Sequence, residues 1–156
     1  MNSIDLARFI EQNEIEAVIL HLQSETPTVA AAAEALDVRP EHIIKSVLFL
    51  ADGRPVLVIA NGLTRIQRKR LADALSMSRR RVKMANGEQV EDIGGYVIGA
   101  VPPFGHLLKL DTLIDQGVLQ QEEVFGGGGE TNALMRVAVP ELLRVTGGQI
   151  VDIADR

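Results

Sequence analysis

Lys45 heads the apolar run Ile43-Ile44-Lys45-Ser46-Val47-Leu48-Phe49-Leu50, which reads as a strand buried on both faces. An ammonium beside such a run is costly to bury unless it has a partner or a task. Downstream, Gly94-Gly95-Tyr96-Val97-Ile98-Gly99-Ala100-Val101-Pro102-Pro103-Phe104-Gly105-His106 reads as a strand emptying into a Gly/Pro turn. Such a turn can present backbone N–H groups at short range. A second glycine-rich segment, Gly126-Gly127-Gly128-Gly129, follows Val124-Phe125. A strand-end ammonium and two glycine-rich turns can hold an ester or phosphate oxygen and orient a water without a covalent nucleophile. This set suits an activated ester and is too weak for an amide.

Other chemistries fit less well. The run 126–129 invites a phosphate-loop reading, because consecutive N–H groups can form an anion nest. It lacks the Gly-Lys-Ser/Thr ending, so a nucleotide-binding regulatory domain is the weakest reading. A close-packed turn is the plain alternative, yet four glycines exceed what a turn requires and leave room for a ligand. His21, His42 and His106 are far apart and show no metal-binding spacing, so no metal is expected. His106 follows Gly105 at the turn, where a structural hydrogen bond is its default role. Ser46 has no base beside it and no Gly-x-Ser-x-Gly elbow, which argues against a serine nucleophile. Cysteine is absent, which removes disulfides and thiol chemistry together.

The elements that must position these residues follow from periodicity and punctuation. Ser3 is expected to cap a first helix, with Leu6, Phe9 and Ile10 on one face and Asn13 near its end. Residues 17–20 suit a strand, and Thr26-Pro27-Thr28 opens an alanine-rich helix over 29–36. Strands 43–51 and 55–60 flank the hairpin signal Asp52-Gly53-Arg54. A helix is predicted over 64–75, with Arg65, Arg68 and Lys69 on one side and Ile66, Leu71, Ala74 and Leu75 on the other. Next come a short strand over 81–85, a short acidic helix over 87–93, a strand over 96–101 and an extended stretch over 107–114. A strand over 133–139, a helix over 140–145 and a last extended segment at 150–153 complete the chain. This order predicts an α+β fold with a curved mixed sheet or partly closed barrel and flanking helices. The 156 residues are expected to form one domain, 1–156.

Hydrophobic residues make up 46% of the chain and aromatics only 3%, so Val, Ile, Leu and Ala must build the core. With no tryptophan and one tyrosine, stacking platforms for single-stranded nucleic acid are scarce. The net charge of −5 argues at first against a polyanionic partner. Its distribution does not. Arg65, Arg68, Lys69, Arg70, Arg79, Arg80, Arg81 and Lys83 are half of the 16 basic residues, and only Asp73 opposes them within 65–83. Charge alone leaves open a phosphate-binding patch and a solvated helix face. The N-terminal residues carry no secretion signal, and no apolar run approaches membrane-spanning length. A cytoplasmic protein without membrane partners is expected.

The residues quoted above resemble the YbaK-type aminoacyl-tRNA deacylases, whose domain is also the editing insertion of bacterial prolyl-tRNA synthetases. The resemblance runs from about residue 26 to 153. It rests on the Ala-rich helix leading to Ile-Ile-Lys-Ser-Val-Leu-Phe, on Gly-Gly-Tyr-Val-Ile-Gly-Ala-Val-Pro-Pro-Phe-Gly, and on Val-Phe-Gly-Gly-Gly-Gly-Glu-Thr-Asn-Ala-Leu, in that order. It implies a freestanding enzyme that hydrolyses the ester of mischarged tRNA, with no cofactor. It makes Lys45 the catalytic hallmark, acting on phosphate, ribose or ester carbonyl. The segment 99–105, with Gly99, Pro103 and Gly105, would form a wall of the amino-acid pocket; Ser46, His106, Gly127 and Gly128 would lie at the same pocket. Arg65, Arg68, Lys69, Arg79, Arg80 and Arg81 would meet acceptor-stem phosphates, and an aminoacyl-tRNA synthetase is left room as a second partner. The alternative is a noncatalytic tRNA- or aminoacyl-binding module that keeps the fold. Serine at 46 does not by itself name the amino acid removed.

Overall fold

A computed structural model describes residues 1–155. The first helix, α1 (Ser3–Gln12), is capped by Asn2 rather than Ser3. The Asn2 side chain accepts from the N–H groups of Ile4 and Asp5, while Asp5 answers the Asn2 N–H to close a capping box. α1 buries Leu6 and turns Phe9 and Ile10 to the core, as its spacing predicts. β1 (Ala17–His21) follows, then α2 (Val29–Leu36), whose first turn is capped by Thr28 Oγ1 accepting from the Ala31 N–H at 3.0 Å. Asp37 ends α2 in the left-handed conformation.

β2 (Ile44–Ala51) and β3 (Arg54–Asn61) form a hairpin in which Asp52 and Gly53 both take positive φ, matching the twist of the strands. α3 (Arg68–Ala74), β4 (Val82–Met84) and α4 (Gly87–Gly94) come next. After a long loop come β5 (Asp111–Asp115), β6 (Glu123–Gly127), β7 (Ala133–Ala138), α5 (Val139–Thr146) and β8 (Gln149–Val151). The strands form two sheets: a mixed one in the order β4-β2-β3-β5-β8, and an antiparallel one in the order β1-β7-β6. The fold is α+β. The two sheets meet at a parallel bridge between Ile43 and Phe125, and no barrel closes.

The pleat sorts side chains into three cores. Ile44, Leu48, Leu57 and Ile59 face Val124, Met135 and Val137, forming the main core with Leu6 and Leu142. The opposite face of the larger sheet carries Phe49, Val56 and Val58 against Leu71 and Ala72 of α3 and the C-terminal Ile153. On the smaller sheet, Phe125 and Leu134 pack on Ala32 and Ala33 of α2, whose small side chains permit close approach.

Two elements differ from the sequence expectation. Residues 65–67 do not open a helix. Ile66 bridges Ala154, the Gln67 N–H donates to the Ile153 carbonyl, and the Asp155 N–H donates to that of Arg65. The C-terminal segment claims this backbone, so α3 starts at Arg68 with Ala72 buried and Ala74 exposed. Residues 96–101 form no strand either. Gly95 and Gly99 take φ of 90° and 87°, bending the chain on both sides of 96–98 and breaking any ladder.

Candidate functional site

β4 pairs only with Phe49–Ala51 of β2, and the Ala85 N–H extends the contact to the Leu48 carbonyl. Beyond that point, among the described residues, no strand covers β2 on this side until the bridge at Ile43. The uncovered edge opens on a cleft of about 360 Å³. One wall is the segment from Thr26 to Val29 that opens α2; Met84, Ala85 and Val90 form a second; Ile98, Gly99 and Val101 with Gly126 and Gly127 form a third. Lys45 and Ser46 lie on the strand between them.

Lys45 points to the α3 side of the sheet, as Val47 and Phe49 do. Its Nζ donates to the Thr64 carbonyl in the loop after β3. No carboxylate among the described residues forms a salt bridge with it. Desolvation therefore dominates and lowers its pKa from the ordinary 10.5. The result is a half-buried cation held by one neutral carbonyl, a site ready to receive an anionic or strongly dipolar group.

The glycine segment is a packing seam more than an open nest. A Cβ on Gly126 would meet Ile44 Cγ1 at 3.2 Å, and one on Gly128 would strike the Ala133 carbonyl carbon at 2.6 Å. The Gly129 N–H donates to the Ala100 carbonyl at 3.0 Å, which pins the 98–101 wall to the end of β6. Gly126 and Gly127 line the cleft, whereas Gly128 packs against β7.

The remaining turn residues face elsewhere. Pro103, Gly105 and His106 line a second cavity of about 340 Å³ with Phe9, Lys109 and Thr112. His106 Nε2 donates to the Pro102 carbonyl at 2.7 Å, and the Tyr96 hydroxyl donates to that of Gly105 at 3.0 Å. Burial lowers the His106 pKa; burial and the charge of Asp5 push Tyr96 up to about 12. Both residues brace the loop from within. Lys45, Ser46, Gly99 and Gly127 thus share one cleft, while Pro103, Gly105 and His106 line the second cavity, with Pro103 Cδ 3.5 Å from where a Cβ on Gly126 would stand.

Arg65, Arg68, Lys69 and Arg79 surround a surface concavity together with Asp155, and Arg80 and Arg81 border a neighbouring one beside Asp73. All six are exposed. Arg70 is instead engaged by Asp152 at 3.3 Å and by Gln67. The carbonyl that holds Lys45 belongs to Thr64, the residue before Arg65, the first residue of this basic surface.

The sequence reading did not name Thr26, Thr28, Met84, Ala85, Val90 or Ile98 among the site residues. The only local signal was Thr26-Pro27-Thr28, recognisable as a helix start but not as a wall. Met84, Ala85 and Val90 reach the cleft through pairing of β4 and packing of α4, which no short motif encodes, whereas Ile98 lies inside the segment 94–106 already singled out.

Residues 23–145 match the family described as the aminoacyl-tRNA editing domain. The proline–tRNA ligase of Lactobacillus acidophilus is 32% identical over 105 residues, covering 67% of this chain but 18% of the ligase. The chain therefore spans under one fifth of that relative. The uncharacterized protein YwhH of Bacillus subtilis is 26% identical over 125 residues, covering 80% of this chain and 78% of that protein. Among solved structures, a candidate trans-editing enzyme for prolyl tRNA synthetase superposes with a TM-score of 0.92 at 27% identity, covering 99% of this chain and 97% of that one.

Proposed function

Because the chain belongs to the aminoacyl-tRNA editing domain family, we propose that it is a freestanding deacylase hydrolysing the ester of mischarged tRNA in trans. The observation that carries this reading is Lys45: a half-buried cation without a carboxylate partner among the described residues, on the uncovered edge of β2, facing a cleft with a glycine wall. In this reading the residues 1–156 act as one editing domain in the cytoplasm, with mischarged tRNA as substrate and an aminoacyl-tRNA synthetase as a further partner. Among the described residues no helix is long and apolar enough to cross a membrane.

An aminoacyl ester is already activated, so positioning and modest charge stabilisation suffice. The Lys45 ammonium leaves the Thr64 carbonyl for the terminal phosphate, ribose or ester carbonyl of the substrate. The 98–101 wall, held by the Gly129 N–H, closes against the aminoacyl group and limits water to the reacting face. The exposed arginines and Lys69 bind acceptor-stem phosphates, which orients the tRNA without reading its sequence.

The test is release of amino acid over time from a panel of mischarged tRNAs incubated with the full chain. Catalytic release from at least one, lost in Lys45→Ala, supports the reading. Saturable tRNA binding with no release across the panel would establish the noncatalytic module instead.

A further inference from the structure

Ser46 occupies a position that the chemistry at Lys45 does not use. Side chains alternate along β2, so Ser46 points to the opposite face from Lys45, the same face as Ile44 and Leu48. Its Oγ is buried and, among the described residues, is the one buried side-chain nitrogen or oxygen without a hydrogen-bond partner. Folded proteins rarely leave such an atom unsatisfied, because its lost hydration goes uncompensated. The cleft it lines is mostly apolar, with Ile44, Leu48, Ala85 and Val90 beside the polar Thr26, Thr28 and Lys45. Gly126 packs tightly on the same face, where a Cβ would crowd Ile44 at 3.2 Å.

A group entering the cleft can supply the missing partner, and the surroundings restrict which part of a substrate arrives. The α-ammonium of an aminoacyl group is poorly suited to an aliphatic wall. The phosphate, ribose or ester that Lys45 engages belongs to the other side of the strand. What reaches Ser46 is the amino-acid side chain, which must be small and carry a hydrogen-bonding group. We propose that Ser46 Oγ is the specificity-determining contact of the cleft and that the preferred substrate carries a small hydroxyl-bearing aminoacyl group, seryl or threonyl rather than alanyl. This rests on the deacylase reading above. The hydroxyl acts by discrimination: an alanyl group leaves Oγ unpaired, whereas a seryl group satisfies it.

The experiment compares wild type with Ser46→Ala in two assays. The first is deacylation of one tRNA charged in turn with serine, threonine, alanine and proline. The second is calorimetric binding of amide-linked, non-hydrolysable 3′-seryl- and 3′-alanyl-aminoadenosine. Wild type is expected to favour the hydroxyl-bearing member of each pair by roughly tenfold to a hundredfold, and Ser46→Ala to erase that preference. Ser46→Ala should also melt no lower than wild type, because it removes an unsatisfied hydroxyl. Equal loss on seryl and alanyl substrates would overturn the proposal, making Ser46 a water-positioning residue. So would a wild type that does not distinguish serine from alanine. Seryl-selective binding without hydrolysis of any ester would sink the deacylase reading and leave the Ser46 assignment standing. If neither analogue binds and no ester is cleaved, both fall.

Discussion

Gly127 lies directly against Val101: a Cβ at 127 would sit 2.6 Å from the Val101 carbonyl carbon and 3.0 Å from that of Ala100. The neighbour is backbone, which cannot rotate aside, so Gly127→Ala must push the 98–101 wall away from β6. Overpacking of this kind costs about 1–3 kcal/mol, and here the displaced segment is also the cleft wall. We expect a lowered melting temperature together with loss of deacylation. Gly99 separates the two effects. A Cβ there meets nothing within 4 Å, but its φ of 87° disfavours any side chain. Gly99→Ala should therefore cost about 1–2 kcal/mol of backbone strain without a clash. If Gly127→Ala melts and turns over like wild type, the seam does not hold the wall.

Lys45→Ala should reduce deacylation by about 10²–10³-fold, the scale of losing one oriented donor at a reacting oxygen. Its fold should persist, because among the described residues the ammonium has no ion-pair partner to strand and makes one neutral hydrogen bond. The pH profile carries a second signature. Burial lowers the Lys45 pKa, so the cation is lost at a lower pH than for a free lysine. Activity that needs the cation must then fall on the alkaline side below 10.5, and if Lys45 meets the substrate phosphate, saturating substrate should push that limb upward. A melting loss as large as a core cavity would assign Lys45 a structural role. An alkaline limb at or above 10.5 would contradict the desolvated site.

The strand bearing Lys45 was legible because its apolar run and the Asp52-Gly53 turn are local signals, and the structure holds both. The helix start at Thr28 was legible for the same reason. What local pattern could not supply was competition from distant chain. Residues 65–67 have helical spacing, yet their backbone is taken by residues 153–155, nearly ninety positions on in the chain. The apolar 96–101 segment has strand composition, but Gly95 and Gly99 turn it into a braced loop. The division of the site followed from that. The turn residues Pro103, Gly105 and His106 were grouped with Lys45 by motif, and beyond the bend at Gly99 they line a different cavity. Ser46 was visible as Lys45's neighbour, but its orphaned hydroxyl emerges only from packing.

His106 should make the wall sensitive to acid. Burial depresses its pKa below the ordinary 6.5, so the folded protein prefers the neutral ring. The stability this contributes is present above 6.5 and is lost as pH falls through the lower folded value. His106→Gln keeps a donor within reach of the Pro102 carbonyl and does not titrate. Thermal melts at pH 7 and pH 5 should show a larger drop for wild type than for the variant, with deacylation following the same order. Identical drops would mean that other groups carry the acid sensitivity.

The basic surface is tested by charge reversal at Arg68 and Lys69. Both are exposed, and neither makes an ion pair among the described residues. They occupy the first turn of α3, where cations oppose the helix dipole, so Arg68→Glu with Lys69→Glu should not destabilise the fold. If these side chains bind acceptor-stem phosphates, the double variant should weaken binding to all tRNAs alike. The dependence of log affinity on log salt should flatten by roughly one to two units. Amino-acid preference should stay as in wild type, because Ser46 and the 98–101 wall lie in a separate cleft. Deacylation of a short aminoacylated acceptor-end mimic, too small to reach α3, should be unaffected. The measurement is affinity against salt for full tRNA beside turnover of the mimic. An unchanged salt slope would make this run a solvated face and would move tRNA docking off α3. The same defect on the mimic as on full tRNA would mean that the charges act on the cleft itself rather than on the stem.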